Sequence, residues 1–409
     1  MASGLFMAAA FAMAYSMIAK RLESTILTAP MLFLGFGYLL STTGLMPTQG
    51  TERALHLVAE TTLIILLFLD AAQTDLKALK TRHVWPFRML LIGLPLGVLI
   101  GALAAWPFIS HWPIFAILLL AAILAPTDAA LGQPVISNKS VPERVRRALT
   151  VESGLNDGLA LPLILLLASL TANVIDNEGT NWLLFGAKQL VLGPMVGAVM
   201  GFIGGHVLLW AKKNHTTSDT YEGVGALALA VCSYIGADMV GGNGFIAAFV
   251  AGLAFGDLVE KRCKFVFEFT ESEGQGLSWA AFLLIGLVLV PESIHHLDGS
   301  TLALILISLV IVRPLAIWLS LIGTDAPPMT RLFFGWFGPR GLATALFALM
   351  VLDRISGGGG GGEGGSEAEY AEYILHIAVN TVWISALLHG LTAAPASRLF
   401  GRLSGQSDR

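Results

Sequence analysis

Stretches of predominantly apolar residues recur along this chain, separated by short segments that hold nearly all of its charges. About 20 such residues, wound as a helix, cross the hydrocarbon of a bilayer. Lipid cannot hydrogen-bond a bare backbone, so only helices or a closed barrel can span it. The runs here have helical length, so the chain reads as an all-α polytopic membrane protein. Composition agrees, with 55% of residues apolar and 13% charged, against roughly 25% charged in a soluble domain. The formal net charge of −4 says less than where the charges fall. Nothing in the pattern points to nucleic acid.

The apolar runs predict about thirteen spans, near 4–19, 30–46, 54–70, 86–107, 113–136, 146–172, 182–211, 220–237, 243–257, 275–291, 300–322, 331–352 and 370–391. The first lacks a basic leader and reads as a span, not a cleaved signal peptide. Of the 24 lysines and arginines, nineteen fall in loops after odd-numbered spans or in the C-terminal tail. Two, Arg53 and Arg354, fall on the other side, and Lys188, Arg313 and Arg340 lie inside spans. By the positive-inside rule the odd loops and the C-terminus are cytoplasmic and the N-terminus is outside, in the cell (inner) membrane. A low-complexity segment, Gly357 to Ser366, reads as a flexible linker joining spans twelve and thirteen. No soluble domain is expected after the last span. Cys232 and Cys263 have no metal-ligand spacing around them, and neither a disulfide nor a zinc site is expected.

Ionisable groups in the bilayer interior are costly, so the few inside spans are the functional suspects. In span five, Ala125-Pro126-Thr127-Asp128 predicts an opened helix with freed carbonyls near Ala122, because proline lacks the N–H and clashes with the carbonyl four residues earlier. A plain kink with Asp128 capping the second half is the simpler reading, and capping can coexist with function. In span six, Glu152-Ser153-Gly154-Leu155-Asn156-Asp157-Gly158 places Ser153 and Asp157 on one helical face and Glu152 and Asn156 on the adjacent one. A carboxylate with a hydroxyl one turn away supplies hard oxygen ligands for a small cation, and Thr127 could complete the shell. Polar glue between helices accounts for a lone Ser or Asn but poorly for two carboxylates.

In span twelve, Gly338-Pro339-Arg340-Gly341 predicts a second broken helix. Arg340 keeps its charge and needs a buried partner; Glu152, oriented by Asn156, is the expected one, leaving Asp157 free to titrate. Arg313 and Lys188 read as structural, and no histidine is singled out, His376 and His389 flanking span thirteen. Gly241, Gly242, Gly244 and Gly252 are expected to pack spans eight and nine closely. Spans five and twelve run in opposite directions, each with a proline-centred break, the arrangement of inverted repeats in a secondary transporter. The expected organisation is spans 1–3 as dimerisation scaffold (1–75), spans 4–6 as one core half (76–175) and span 7 as a link (176–212). Spans 8–10 are further scaffold (213–295), and spans 11–13 the second core half (296–409). A channel or an intramembrane hydrolase remain as other classes, though no HExxH motif and no carbonyl-filter repeat is present.

These motifs together resemble the cation:proton antiporters, specifically their electroneutral NhaP/NHE-like branch. The resemblance implies two crossing discontinuous helices and exchange of a monovalent cation, Na+ or Li+ first and K+ as the alternative, for H+. It implies that Asp157 binds cation and proton alternately, with Ser153, Thr127 and Asp128 near the ion, and that Glu152, Asn156 and Arg340 brace the helices. It implies one-for-one stoichiometry, since the electrogenic branch has a second aspartate where this chain has Asn156, and a homodimer. No cofactor is expected beyond the transported ions, and no enzymatic step. Ala129, where many relatives have proline, and the absence of a long regulatory tail depart from the pattern.

Overall fold

The computed structural model describes residues 2–22, 25–44, 52–74, 84–175, 182–259, 263–357 and 366–407. Most of the glycine-rich linker lies outside the described residues, as do Lys77, Lys80, Arg82, Lys261, Arg262 and Arg409. All regular structure among the described residues is helical. In chain order the first elements are α1 Ala2–Leu22, α2 Ala29–Thr42 and α3 Glu52–Ala72. Next come α4 Val84–Ile109, α5 Ile114–Ile123, α6 Ala129–Ile136, α7 Glu143–Ile175, α8 Trp182–Lys213, α9 Asp219–Met239 and α10 Gly244–Val259. The remainder are α11 Phe265–His295, α12 Gly299–Ser320, α13 Pro328–Trp336, α14 Leu342–Gly357 and α15 Ser366–Ser407. Nine of the described helices are long and apolar enough to cross a membrane, and shorter apolar helices include α2, α5 and α10.

α4, α11 and α12 each contain one π turn, at Met89–Gly93, Ile285–Leu289 and Ser308–Val312. Each turn stands just before a proline, Pro95, Pro291 and Pro314. A proline denies the helix one donor and crowds the carbonyl four residues back; the widened turn absorbs both without ending the helix.

Close packing is glycine-driven, as expected where lipid removes the hydrophobic drive between helices. A Cβ on Gly197 or Gly201 of α8 would stand 2.3 Å from the carbonyl of Ala247 or Ala251 on α10. On the other side of α10, a Cβ on Gly252 or Gly256 would stand 2.2 or 2.1 Å from the carbonyls of Phe68 and Ala72 on α3. α9 does pack on α10 as expected, but not all the expected glycines serve that contact. Gly244 does rest on Tyr234 of α9, but Gly252 faces α3, Gly242 meets Gly193 of α8, and Gly241 takes φ +77° in a turn. Helix order in the sequence does not fix which neighbour a small-residue face will meet.

One apolar core runs through the molecule, including Phe68, Leu120, Ile164, Phe255, Phe347 and Ile377. A smaller cluster of Trp85, Val145, Leu149, Phe334 and Phe400 closes one end. α15 is longer than the predicted last span, so His376 and His389 lie buried within it, 4% and 2% exposed, and do not flank it.

Candidate functional site

Two interrupted helices build the site. α5 stops at Ile123 and α6 begins at Ala129, because Pro126 has no N–H to return to Ala122. The carbonyl of Ala122 is nevertheless not left free. It accepts the Ala125 N–H at 3.3 Å in a tightened last turn. The carbonyl turned aside by the break is that of Pro126, which accepts from Arg340 Nη1 at 3.1 Å. The second interruption separates α13 from α14, over Phe337 to Gly341.

The two breaks meet. The Asp128 N–H donates to the Pro339 carbonyl at 2.9 Å. Asp128 Oδ1 accepts from the Leu131 N–H at 3.1 Å and Oδ2 from the Leu342 N–H at 2.7 Å. One carboxylate thus caps α6 and α14 together, where unsatisfied N–H groups and the helix dipole favour negative charge. The glycines of the second motif make room for this. A Cβ on Gly341 would stand 1.9 Å from Asp128 Oδ2, and one on Gly338 would stand 1.5 Å from Arg313 Nε.

α7 passes beside the breaks and presents Glu152, Ser153 and Asn156, all buried. Thr127 Oγ1 lies 3.3 Å from Ser153 Oγ and 3.4 Å from Glu152 Oε2, and accepts from Asn156 Nδ2 at 2.5 Å. The expected pairing of Glu152 with Arg340 is corrected here. Glu152 is held by Arg313, whose two terminal nitrogens donate to its two oxygens at 3.0 and 3.1 Å. The π turn before Pro314 sets Arg313 at the head of the following helical segment. The Arg340 Nη1, meanwhile, is taken by carbonyls within reach of its own loop, Pro126 and Gly338, and its backbone N–H donates to Ser385 Oγ at 2.7 Å.

Asp157, one turn beyond Ser153, differs from its neighbours. Its Oδ1 is buried with no hydrogen-bond partner among the described residues, and so is Asn156 Oδ1. The carboxylates of Asp70, Asp128 and Glu152 all act on its charge. The Thr127 and Ser153 hydroxyls and Glu152 Oε2 therefore gather where an irregular backbone is buried in protein, with Asp157 one helical turn from Ser153, and such oxygens are hard ligands suited to a small cation. A cavity of about 30 Å³, bordered by Glu152, Asn156, Arg313 and Arg340, lies alongside. That is room for about one water beside the two arginines.

The profile of a transmembrane family described as sodium/hydrogen exchanger matches residues 6–399. The chain belongs to the sodium/hydrogen exchanger family. It is 28% identical over 355 residues to a K(+)/H(+) antiporter NhaP2 of Shewanella sp. strain ANA-3, covering 84% of this chain and 57% of that one. To a K(+)/H(+) antiporter NhaP of Alkalimonas amylolytica it is 29% identical, over 82% of this chain and 57% of that one. To Na(+)/H(+) antiporter 2 of Zygosaccharomyces rouxii it is 26% identical, over 62% and 33%. The chain thus spans a little over half the length of the NhaP relatives. The solved structure of the sodium proton antiporter MjNhaP1 from Methanocaldococcus jannaschii at pH 8 shares its fold, with TM-score 0.77 and 21% identity over 96% of this chain and 97% of that one.

Within this multi-pass exchanger-family protein, two residues near the site stand out beyond the sequence expectations. Asp70 ends the apolar run of α3, and its backbone carbonyl lies beside Gly154, where a Cβ would stand 3.5 Å away. The sequence cue is a carboxylate at the very end of the apolar run 54–70, where it looks like an ordinary boundary charge. Arg313, expected to be structural, is so as the partner of Glu152 in a buried ion pair, a partner that the sequence does not single out.

Proposed function

We propose that the chain is a secondary active antiporter exchanging a monovalent cation, Na+ or Li+ first, for H+ by alternating access. The observation that carries this reading is Asp157 Oδ1, a buried carboxylate oxygen without a partner among the described residues, one helical turn from Ser153, whose hydroxyl meets Thr127. Glu152 is already neutralised by Arg313, and Asp128 is committed to two helix caps. That leaves Asp157 to take a proton or a cation in turn. Either one neutralises the site, and an unneutralised carboxylate is costly to carry through hydrocarbon. The loaded core therefore moves and the empty one is held back, which makes exchange obligatory.

The same reading comprises thirteen spans with the two broken helices crossing, an outer N-terminus and cytoplasmic C-terminus in the cell membrane, and a homodimer joined through the scaffold spans. The core halves are residues 76–175 and 296–409, and residues 1–75 and 213–295 form the scaffold. Thr127 and Ser153 serve as further cation ligands, Asp128 stands near the ion, and Glu152, Asn156 and Arg340 brace the helices. A second reading, K+ for H+, is favoured by the names of the NhaP relatives.

The test is recovery of an imposed pH gradient in vesicles on adding NaCl, LiCl or KCl. Cation-dependent recovery is expected from the parent protein and is abolished in Asp157→Asn. The order of the three salts ranks the ions. Recovery that survives the substitution would remove Asp157 from the mechanism.

A further inference from the structure

Away from the broken helices, the end of α11 meets the start of α15. Glu292 stands on the last turn of α11, and Glu372 and His376 stand one turn apart on α15. One ligand atom from each of the three lies within 4.8 Å of the others. The two carboxylates are exposed, whereas His376 is 4% exposed and buried against the helix junction.

The imidazole is held in a specific way. Nδ1 lies 3.1 Å from Ser293 Oγ, a side chain that is itself buried. His296 stacks on the ring with centroids 4.1 Å apart and planes within 7°. Nε2 is buried with no hydrogen-bond partner among the described residues, and the carboxylate oxygen of Glu372 stands 3.9 Å from it. In the tautomer where Nδ1–H donates to Ser293, the Nε2 lone pair is free and faces the carboxylates. A buried polar atom left without a partner is costly, and a histidine oriented through its far nitrogen is the common arrangement behind a metal ligand.

We infer that Glu292, Glu372 and His376 form a site for a divalent transition cation of the zinc class, joining α11 to α15. The donor set decides the class. Magnesium and calcium take oxygen ligands, whereas an imidazole nitrogen with carboxylate oxygens suits zinc and its neighbours. Zinc–nitrogen and zinc–oxygen bonds of about 2.0–2.2 Å put tetrahedral ligand atoms roughly 3.4 Å apart. The cluster therefore needs only a small inward rotation of two exposed glutamates. The backbone beneath is already fixed, since Asn380 Nδ2 of α15 donates to the Ser293 carbonyl at 2.6 Å. Three protein ligands leave a coordination position open to water.

The experiment uses the full chain, purified in detergent and stripped with EDTA, then equilibrated with ZnCl2 alone or MgCl2 alone. Bound metal is counted by elemental analysis, and the unfolding temperature is followed in parallel. The expected result is one saturable zinc per chain, a rise in unfolding temperature with zinc, and no stoichiometric magnesium. Glu372→Gln and Glu292→Gln, both at exposed positions, should each weaken zinc at least tenfold while the unfolding temperature without metal stays near that of the parent. His376→Gln should abolish stoichiometric binding. Absence of saturable zinc, zinc binding indifferent to both glutamine substitutions, or equal binding of magnesium would each overturn the site. Binding is read directly, so the result stands apart from whether the chain exchanges cations.

Discussion

At the scale of single residues, two buried arginines solve the same problem differently. Arg313 meets a carboxylate with two parallel hydrogen bonds, while Arg340 gives its Nη1 to carbonyls that the broken helices supply. Arginine cannot shed its charge, so each device replaces the water that burial removes. Only the first is an ion pair, and that makes a prediction. Removing one member of a buried pair strands the other and costs about 3–5 kcal/mol, whereas replacing both with apolar residues costs far less. Glu152→Leu and Arg313→Met should each lower the unfolding temperature in detergent sharply, and the double variant should recover much of the loss. A cycle of Glu152→Leu with Arg340→Met should show the weaker coupling. Equal coupling in the two cycles would mean that Glu152 is shared between the arginines. From the sequence, the need of Arg340 for a partner is legible; which arginine takes Glu152 is not, because that turns on side-chain reach across three helices. The π turn before Pro314, which sets the head of the segment carrying Arg313, left no cue beyond the proline itself.

At the scale of elements, the breaks in both helices were readable because proline acts locally. Pro126 and Pro339 mark the interruptions, and Gly338 and Gly341 are the positions where a Cβ would collide with Arg313 and Asp128. How the broken ends are satisfied was hidden, since Asp128 caps a helix more than two hundred residues away as well as its own. A similar long-range pin holds the loop between α12 and α13. Asp325 accepts from Arg144 Nη1 at 2.7 Å and from Trp85 Nε1 at 2.7 Å, and the Arg144 guanidinium sits 3.7 Å over the Trp85 ring. The Arg144 hydrogen bond, seconded by Trp85 and opposed by slight burial, holds the Asp325 carboxyl below the usual carboxylate range. A lowered folded pKa means stability that is present above the unfolded value and lost as pH falls through the folded one. Asp325→Asn should therefore lower the unfolding temperature at pH 7, and the difference should shrink below about pH 4 as the parent carboxylate protonates. The side chains of Arg144 and Asp325 are 49% and 60% exposed, so the effect should stay within about 1 kcal/mol. A difference that persists unchanged at low pH would assign the effect to the Trp85 contact instead of the charge.

At the scale of the whole molecule, hydropathy alone pointed to the helical membrane architecture, and the two proline motifs marked the helix breaks that meet in it. Helix neighbours were not legible, because glycine faces on α8 and α10 show that close packing is intended without showing against what. The charge carried per cycle is a property at this scale. With Glu152 paired to Arg313 and Asp128 bonded to two helix starts, the proposed exchange leaves Asp157 as the one carboxylate to alternate between proton and cation. One carboxylate neutralised once in each direction moves no net charge, so the exchange rate should be the same with or without a membrane potential. Moving one elementary charge through 100 mV is worth about 2.3 kcal/mol, so an electrogenic cycle could shift its rate by up to tens of fold. The check is Na+-driven proton movement in vesicles clamped at zero or at about 100 mV by a thiocyanate gradient, which avoids K+ as a competing cargo. Equal rates support one-for-one exchange. A severalfold change would require a second carboxylate to load and unload with Asp157, and Asp70, whose charge acts on it from α3, would be the first to substitute.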